Sequence, residues 1–197
     1  PPAEADYLAL YLGPLLEAAY DSFAVRYGYR PPTPIRVELY DRHADFSVRT
    51  VGLTGLGALG VCFGPVIVLD SPRARDLGEL NYGSTAWHEL AHTFTLGLSN
   101  HRVPRWISEG LSVLEERRAG HGWGANVSVS FLATYKGGAL PKASDINEGL
   151  VRPKFGDEIG RTQPGSRRLQ RRAAGRDAVA ERVAEAVASG QMEHQHA

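Results

Sequence analysis

The stretch from Trp87 to Phe94 constrains the chain most, because it spells H-E-x-x-H inside an apolar run that suits a helix. Two histidines four residues apart, His88 and His92, lie on one face of a helix and can reach the same metal ion. Glu89 follows His88 and would face a water molecule activated by that ion. A buried helix with these polar groups needs a partner for them, and a metal is the simplest one. The alternative is a core histidine pair satisfied by hydrogen bonds.

The composition indicates one ordinary folded domain. Of the 197 residues, 43% are apolar, which is enough for a hydrophobic core. Basic and acidic residues both number 22, so the zero net charge gives no reason to expect nucleic acid or an anionic membrane as partner. The single cysteine, Cys62, excludes an internal disulfide framework and C-x-x-C zinc sites. No apolar run reaches about 18 residues, so we expect no membrane span.

The first quarter of the chain predicts a helix followed by a strand. Apolar residues recur every three or four positions from Ala3 to about Tyr27, as in an amphipathic helix that Pro14 kinks or splits. Residues 35–40 alternate between apolar and polar, as in a half-buried strand. Asp41 is then the expected N-cap of a short helix.

The segment before the motif contains glycines and a second strand. Five glycines between Gly52 and Gly64 predict a flexible loop or a bulged strand. Residues 65–70 predict a strand, either in the core or at a sheet edge that could hold an extended peptide beside the metal. Ser84 or Thr85 is the expected N-cap of the motif helix, which should run to about Leu96 and stop at Gly97.

A hydrolytic zinc site needs a third protein ligand and one open position. The metzincin pattern would place glycine and histidine at positions 95 and 98, but Thr95 and Leu98 stand there. Glu109 is the better candidate, because it lies in the otherwise apolar run of a second predicted helix, Arg105–Glu116, where an unpaired carboxylate would be costly. Alternatively, Glu109 is only a negative charge in the first turn of this helix, where the helix dipole favours it. Residues 115–118 are expected to form the solvated end of that helix.

H-E-x-x-H followed after sixteen residues by the glutamate of the W-x-x-E-G segment 106–110 resembles the gluzincin zinc metallopeptidases, and in particular their peptidase MA-like domains. The resemblance implies a zincin-like α+β fold, in which a small mixed sheet with an edge strand packs on the H-E-x-x-H helix and a glutamate-ligand helix follows. It implies His88, His92 and Glu109 as ligands of one Zn²⁺ ion and Glu89 as general base. Such domains often stand beside tetratricopeptide repeats, which are therefore expected in the parent chain.

The chain departs from this family pattern at the residues that support the metal ligands. Thermolysin-like members have an aspartate three residues after the ligand glutamate, whereas this chain has Ser112. A serine offers a hydrogen bond without a charge, so orientation of the imidazole is either weaker or supplied by another residue. His101 and Tyr135 are the nearest candidates for an oxyanion donor, with a surface position as the alternative for both.

The last part of the chain differs in character. Residues 126–131 alternate like a strand, with a short helix or a loop as alternatives. Six arginines and no acid occur in 161–176, which indicates a solvated segment or a patch for nucleic acid or an acidic partner. We therefore divide the chain into a peptidase-like domain, 1–160, and an Arg-rich segment, 161–197, with a short helix expected over 177–189.

The function predicted from these features is zinc-dependent hydrolysis of peptide bonds in a peptide or protein substrate, a substrate class that rests on the family analogy. The alternative is a non-catalytic zinc-binding interaction domain derived from a metallopeptidase, since 161–175 lacks the aromatic residues of supporting helices. A basic-tail binding module is a third option. The chain opens with Pro1-Pro2 and no targeting signal, so we expect a fragment or mature piece of a longer protein, and its localisation is not predicted.

Overall fold

The computed structural model describes residues 2–76, 78, 81–124 and 129–138. These residues form an α+β fold, as predicted, with α-helices, a three-stranded sheet and a short 3-10 turn at Pro72–Ala74. The helices are α1 (Pro2–Tyr27), α2 (His43–Val51), α3 (Tyr82–Leu98), α4 (Arg105–Ala119) and α5 (Val129–Lys136). The strands are β1 (Arg36–Tyr40), β2 (Gly60–Cys62) and β3 (Val66–Asp70). The predicted boundary at 160, the Arg-rich segment and its helix lie outside the described residues.

The sheet is mixed, and β3 is its central strand. The order is β1-β3-β2, with β1 parallel to β3 and β2 antiparallel to it. The prediction of a strand over 65–70 is confirmed, but the option that it forms a sheet edge is wrong, because β3 is paired on both sides. Within the described sheet the edge strand beside α3 is β2. Its three residues lie in the glycine-rich segment and are too few to show the alternation of apolar and polar residues that predicts a strand.

The core lies where α1 and α3 cover one face of the sheet. Phe23 of α1, Phe94 of α3 and Ile67 of β3 are fully buried in it. The rings of Phe23 and Phe94 pack edge to face, with centroids 5.4 Å apart and planes at 81°. Pro14 does not split α1, which runs without interruption from Pro2 to Tyr27. No helix in the described ranges is both long enough and apolar enough to cross a membrane.

The ends of α3 differ from the prediction. Asn81 is the N-cap, because its Oδ1 accepts a hydrogen bond from the backbone N–H of Ser84 at 3.1 Å. The helix then continues past Gly97 to Leu98. A Cβ at Gly97 would lie 2.5 Å from the hydroxyl oxygen of Tyr29, so this glycine permits close packing and does not end the helix.

Two shorter helices also differ from the sequence prediction. α2 begins at His43 after Arg42 as N-cap residue, one position later than the cap expected at Asp41. Of the alternatives for 126–131, the helix is the one observed from Val129 onward, and residues 125–128 are not described.

Candidate metal centre

Packing of α3 on α4 brings His88, His92 and Glu109 together. One ligand atom from each residue lies within 4.8 Å of the other two. Oε2 of Glu109 is 3.3 Å from Nε2 of His88 and 3.6 Å from Nε2 of His92. The two imidazoles come from successive turns of α3, with ring centroids 4.8 Å apart. These three residues form a group that could hold a metal ion.

The contacts of the other imidazole nitrogens fit a metal site. Nδ1 of His88 lies 2.5 Å from Oε1 of Glu116. Nδ1 of His92 lies 2.8 Å from the hydroxyl of Ser108 and 3.2 Å from that of Ser112. When Nδ1–H donates to these oxygens, Nε2 keeps its lone pair and faces Glu109. Two imidazole nitrogens and one carboxylate oxygen, each oriented in this way, are a donor set that zinc accepts.

Glu116 is the supporting residue that the sequence did not reveal. The expectation of a solvated end for α4 is wrong at Glu115 and Glu116, which are 0% and 7% exposed. Besides its contact with His88, the carboxylate of Glu116 accepts a hydrogen bond from the hydroxyl of Ser84 on α3. It supplies a charged partner for the candidate ligand His88, whereas Ser112 supplies an uncharged partner for His92. The sequence did contain one indication of its role, because Glu116 follows Glu109 by seven residues and both carboxylates therefore lie on one face of α4.

Glu89 projects from α3 toward the edge strand β2. It is 6% exposed, and a Cβ added at Gly60 would lie 2.7 Å from its Cγ and 2.9 Å from its Oε1. Any side chain at position 60 would therefore displace the carboxyl group of Glu89. Burial raises the pKa of Glu89, while the nearby His92 and His88 act in the opposite direction. A buried carboxyl beside two imidazoles is suited to accepting and returning a proton.

The contacts among His88, His92 and Glu109 favour a protonated His88 and an ionised Glu109. Burial alone would lower the pKa of His88, but its hydrogen bonds to Glu109 and Glu116 raise that pKa well above the usual range. Burial alone would raise the pKa of Glu109, but hydrogen bonds to His88 and His92 hold it well below the usual range. Protons and a metal ion therefore compete for the same nitrogen atoms.

Both residues considered as oxyanion donors have exposed side chains. Tyr135 on α5 is 56% exposed. His101 is also exposed, and it follows α3 at the rim of a cavity of about 330 Å³ that Tyr29 and Pro31 also line. The ring of His101 packs near Gly64, where an added Cβ would lie 3.3 Å from Cε1. Their exposure agrees with the surface alternative.

A separate polar cluster at the end of β3 contains the residue types of a Ser-His-Asp triad. Ser47 Oγ is 3.3 Å from Nε2 of His43, and Nδ1 of His43 is 2.8 Å from Oδ2 of Asp70. The serine is fully buried, however, and its oxygen accepts a hydrogen bond from the backbone N–H of Leu56. Arg75 also pairs with Asp70, at 2.7 Å. The cluster therefore anchors the segment that leads into β2. The buried hydroxyl of Ser47 is not accessible to a substrate.

Comparison of the chain with models of known protein families, with curated proteins and with solved structures gives no match. The resemblance to gluzincin metallopeptidases therefore rests on the residues of α3 and α4 alone. It stays a prediction, whereas the geometry of the His88, His92 and Glu109 group is observed.

Proposed function

We propose that this protein is a zinc metallopeptidase of the gluzincin type, with a zincin-like fold. The observation that carries the proposal is the convergence of two Nε2 atoms and one carboxylate oxygen, with both Nδ1 atoms already in hydrogen-bond contact with other side chains. A structural histidine pair would not need both Nε2 atoms directed at the same carboxylate. The choice of zinc follows from this donor set.

His88, His92 and Glu109 would hold one Zn²⁺ ion. When bound, zinc supplies a Lewis acid that polarises a carbonyl group and lowers the pKa of water toward about 7. Three protein ligands leave one position open, as catalytic rather than structural zinc sites do. Glu116, Ser108 and Ser112 keep the imidazoles in the orientation that this ligation requires.

Glu89 would act as the general base. Its carboxylate would take a proton from water as the water oxygen bonds to the carbonyl carbon. It would then return that proton to the amine nitrogen as the C–N bond breaks, so the carboxylate is regenerated at the end of each turnover. The raised pKa that burial gives this group suits both steps, since the protonated form must persist until the amine departs. Because Gly60 has no side chain, the carboxyl group of Glu89 has space to move between the water and the amine.

The edge strand offers a place for an extended peptide. Backbone groups of Leu59 and Phe63 hydrogen-bond to β3. Because antiparallel pairing alternates, the N–H and C=O groups of Gly60 and Cys62 point to the outer edge. A peptide that adds to this edge would pass beside Glu89, which supports a peptide as substrate.

Glu89→Gln tests the assignment of the base. The amide retains the shape of the side chain but cannot take the proton, so we expect unchanged zinc binding and a fall in turnover of about 10²- to 10⁴-fold on a mixed peptide library. Glu17→Gln, at an exposed position on α1, is the matched control and should keep full activity. Equal activity of the Glu89 variant and the parent would exclude Glu89 as base. A parent that binds zinc and hydrolyses no peptide would instead favour the non-catalytic interaction domain.

A further inference from the structure

Arg105 is the first residue of α4 and lies one turn before Glu109. Its Nε is 3.2 Å from Oε1 of Glu109. The other oxygen, Oε2, is the one directed at the Nε2 atoms of His88 and His92. The two oxygens of the Glu109 carboxylate therefore have different partners.

We propose that Arg105 is a positioning residue that fixes Glu109 as a one-oxygen metal ligand. This inference rests on the metal site of the proposed function. A carboxylate with both oxygens free can rotate and bind a metal through both of them, which occupies the position that a water or substrate requires. The ion pair holds Oε1 away from the metal and leaves Oε2 to it, so the fourth position stays open.

Helix stability does not explain an arginine at this position. A positive charge at a helix N-terminus is unfavourable with respect to the helix dipole. A basic residue four positions before an acidic one is also the weaker order for an ion pair along a helix. The pair formed by Arg105 and Glu109 therefore gives α4 little stability, and its directional effect on a ligand carboxylate is the remaining explanation.

The surroundings of the two side chains agree with this role. The side chain of Glu109 is 19% exposed and that of Arg105 is 59% exposed, so the ion pair joins a mostly buried carboxylate to a guanidinium in contact with solvent.

The test compares Arg105→Gln and Arg105→Lys with the parent in the full chain. Zinc affinity is measured by competition with a chromophoric chelator, and coordination by the visible absorption of the Co²⁺-substituted protein. Arg30→Gln is the matched control, because Arg30 forms an exposed ion pair with Asp21. Circular dichroism establishes that all variants are folded.

We expect Arg105→Gln to weaken zinc binding by about 10-fold, the low end for residues that orient metal ligands, because the arginine is half exposed. The Co²⁺ absorption should also weaken as coordination number rises, and Arg105→Lys should lie between the parent and the glutamine variant. Parent-like affinity and absorption in Arg105→Gln would overturn the inference and leave the proposed function standing. Loss of affinity with an unchanged Co²⁺ spectrum would also overturn it. A parent that binds no zinc would overturn both.

Discussion

Single side chains decide how the imidazoles of the metal centre are held. Glu116 bridges the two helices of the site, since one carboxylate oxygen contacts Nδ1 of His88 and the other accepts a hydrogen bond from the hydroxyl of Ser84. A charged acceptor at Nδ1 makes the opposite nitrogen a stronger donor to a metal. Glu116 would therefore affect metal binding at the candidate site without being a ligand.

Glu116→Gln should lower zinc affinity by roughly 10- to 100-fold, because the amide keeps an acceptor atom but loses the charge that supports His88. Equilibrium dialysis against a zinc buffer measures the change. Glu38→Gln is the control, since Glu38 of β1 pairs with Arg49 of α2, away from the candidate ligands, and should leave zinc affinity as in the parent. The same affinity in the Glu116 variant and the control would show that Glu116 has no influence on the metal.

The ligand candidates could be predicted from sequence, but their supports could not. His88, Glu89 and His92 lie on one helix, whose regular geometry fixes their relative placement before any packing is known. Glu116 approaches His88 only because α4 packs on α3 at one particular register. Its neighbours Arg117 and Arg118 give the segment the charge pattern of a solvated helix end, which concealed the burial of the two glutamates.

At the scale of elements, a buried carboxylate joins α4 to α1. Glu115 is fully buried and forms an ion pair with Arg26 of α1. Its Oε1 also accepts hydrogen bonds from the hydroxyl of Tyr27 and from Nη1 of Arg118, both at 3.1 Å. A buried carboxylate is tolerated only with such partners, so the contacts of Glu115 with Arg26 and Tyr27 fix the position of α4 relative to α1.

Glu115→Ala should destabilise the protein by roughly 2–3 kcal/mol, less than the loss from a fully buried pair because Arg26 is 35% exposed and regains water. Urea unfolding followed by circular dichroism gives the free energy of unfolding. Glu38→Ala removes a more exposed ion pair and should cost less than about 1 kcal/mol. Equal losses in the two variants would mean that the Glu115 network does not stabilise the packing of α1 on α4.

Elements with a strong internal pattern could be predicted, and those that depend on partners could not. α1, α3 and α4 each show helical periodicity over several turns, so the sequence indicates them without knowledge of the fold. β2 has three residues and forms because β3 lies beside it and because the Ser47 cluster anchors the preceding segment. No pattern within Gly60–Cys62 contains that information.

Across the described part of the molecule, α3 is the element on which the fold and the candidate metal centre both depend. One side of it contributes Phe94 and Leu90 to the core, and another contributes His88 and His92 to the ligand group. It contacts α1, α4 and β2. Metal binding should therefore stabilise the folded protein as a whole, because the ligand group forms only when these contacts are in place.

Removal of zinc should accordingly lower the thermal unfolding temperature. Zinc at about 100 times its dissociation constant contributes roughly 2.7 kcal/mol, which corresponds to about 5–10 °C for a domain of this size. Differential scanning calorimetry with and without chelator measures the shift, and Glu109→Ala, which lacks the third ligand, should show little of it. An equal zinc-dependent shift in the parent and in Glu109→Ala would exclude Glu109 from the ligand set.

The zinc-dependent shift should also grow with pH. Because the pKa of His88 is raised in the folded protein, its protonation stabilises the metal-free chain below the usual histidine pKa, and this contribution is lost as pH rises through the raised value. Zinc must displace that proton, so its net stabilisation is smallest in acid and increases as His88 loses its proton. Calorimetry of the parent at pH values on both sides of neutrality, with and without zinc, tests this directly. A zinc-dependent shift that stays constant or falls with rising pH would show that the metal does not compete with the proton on His88.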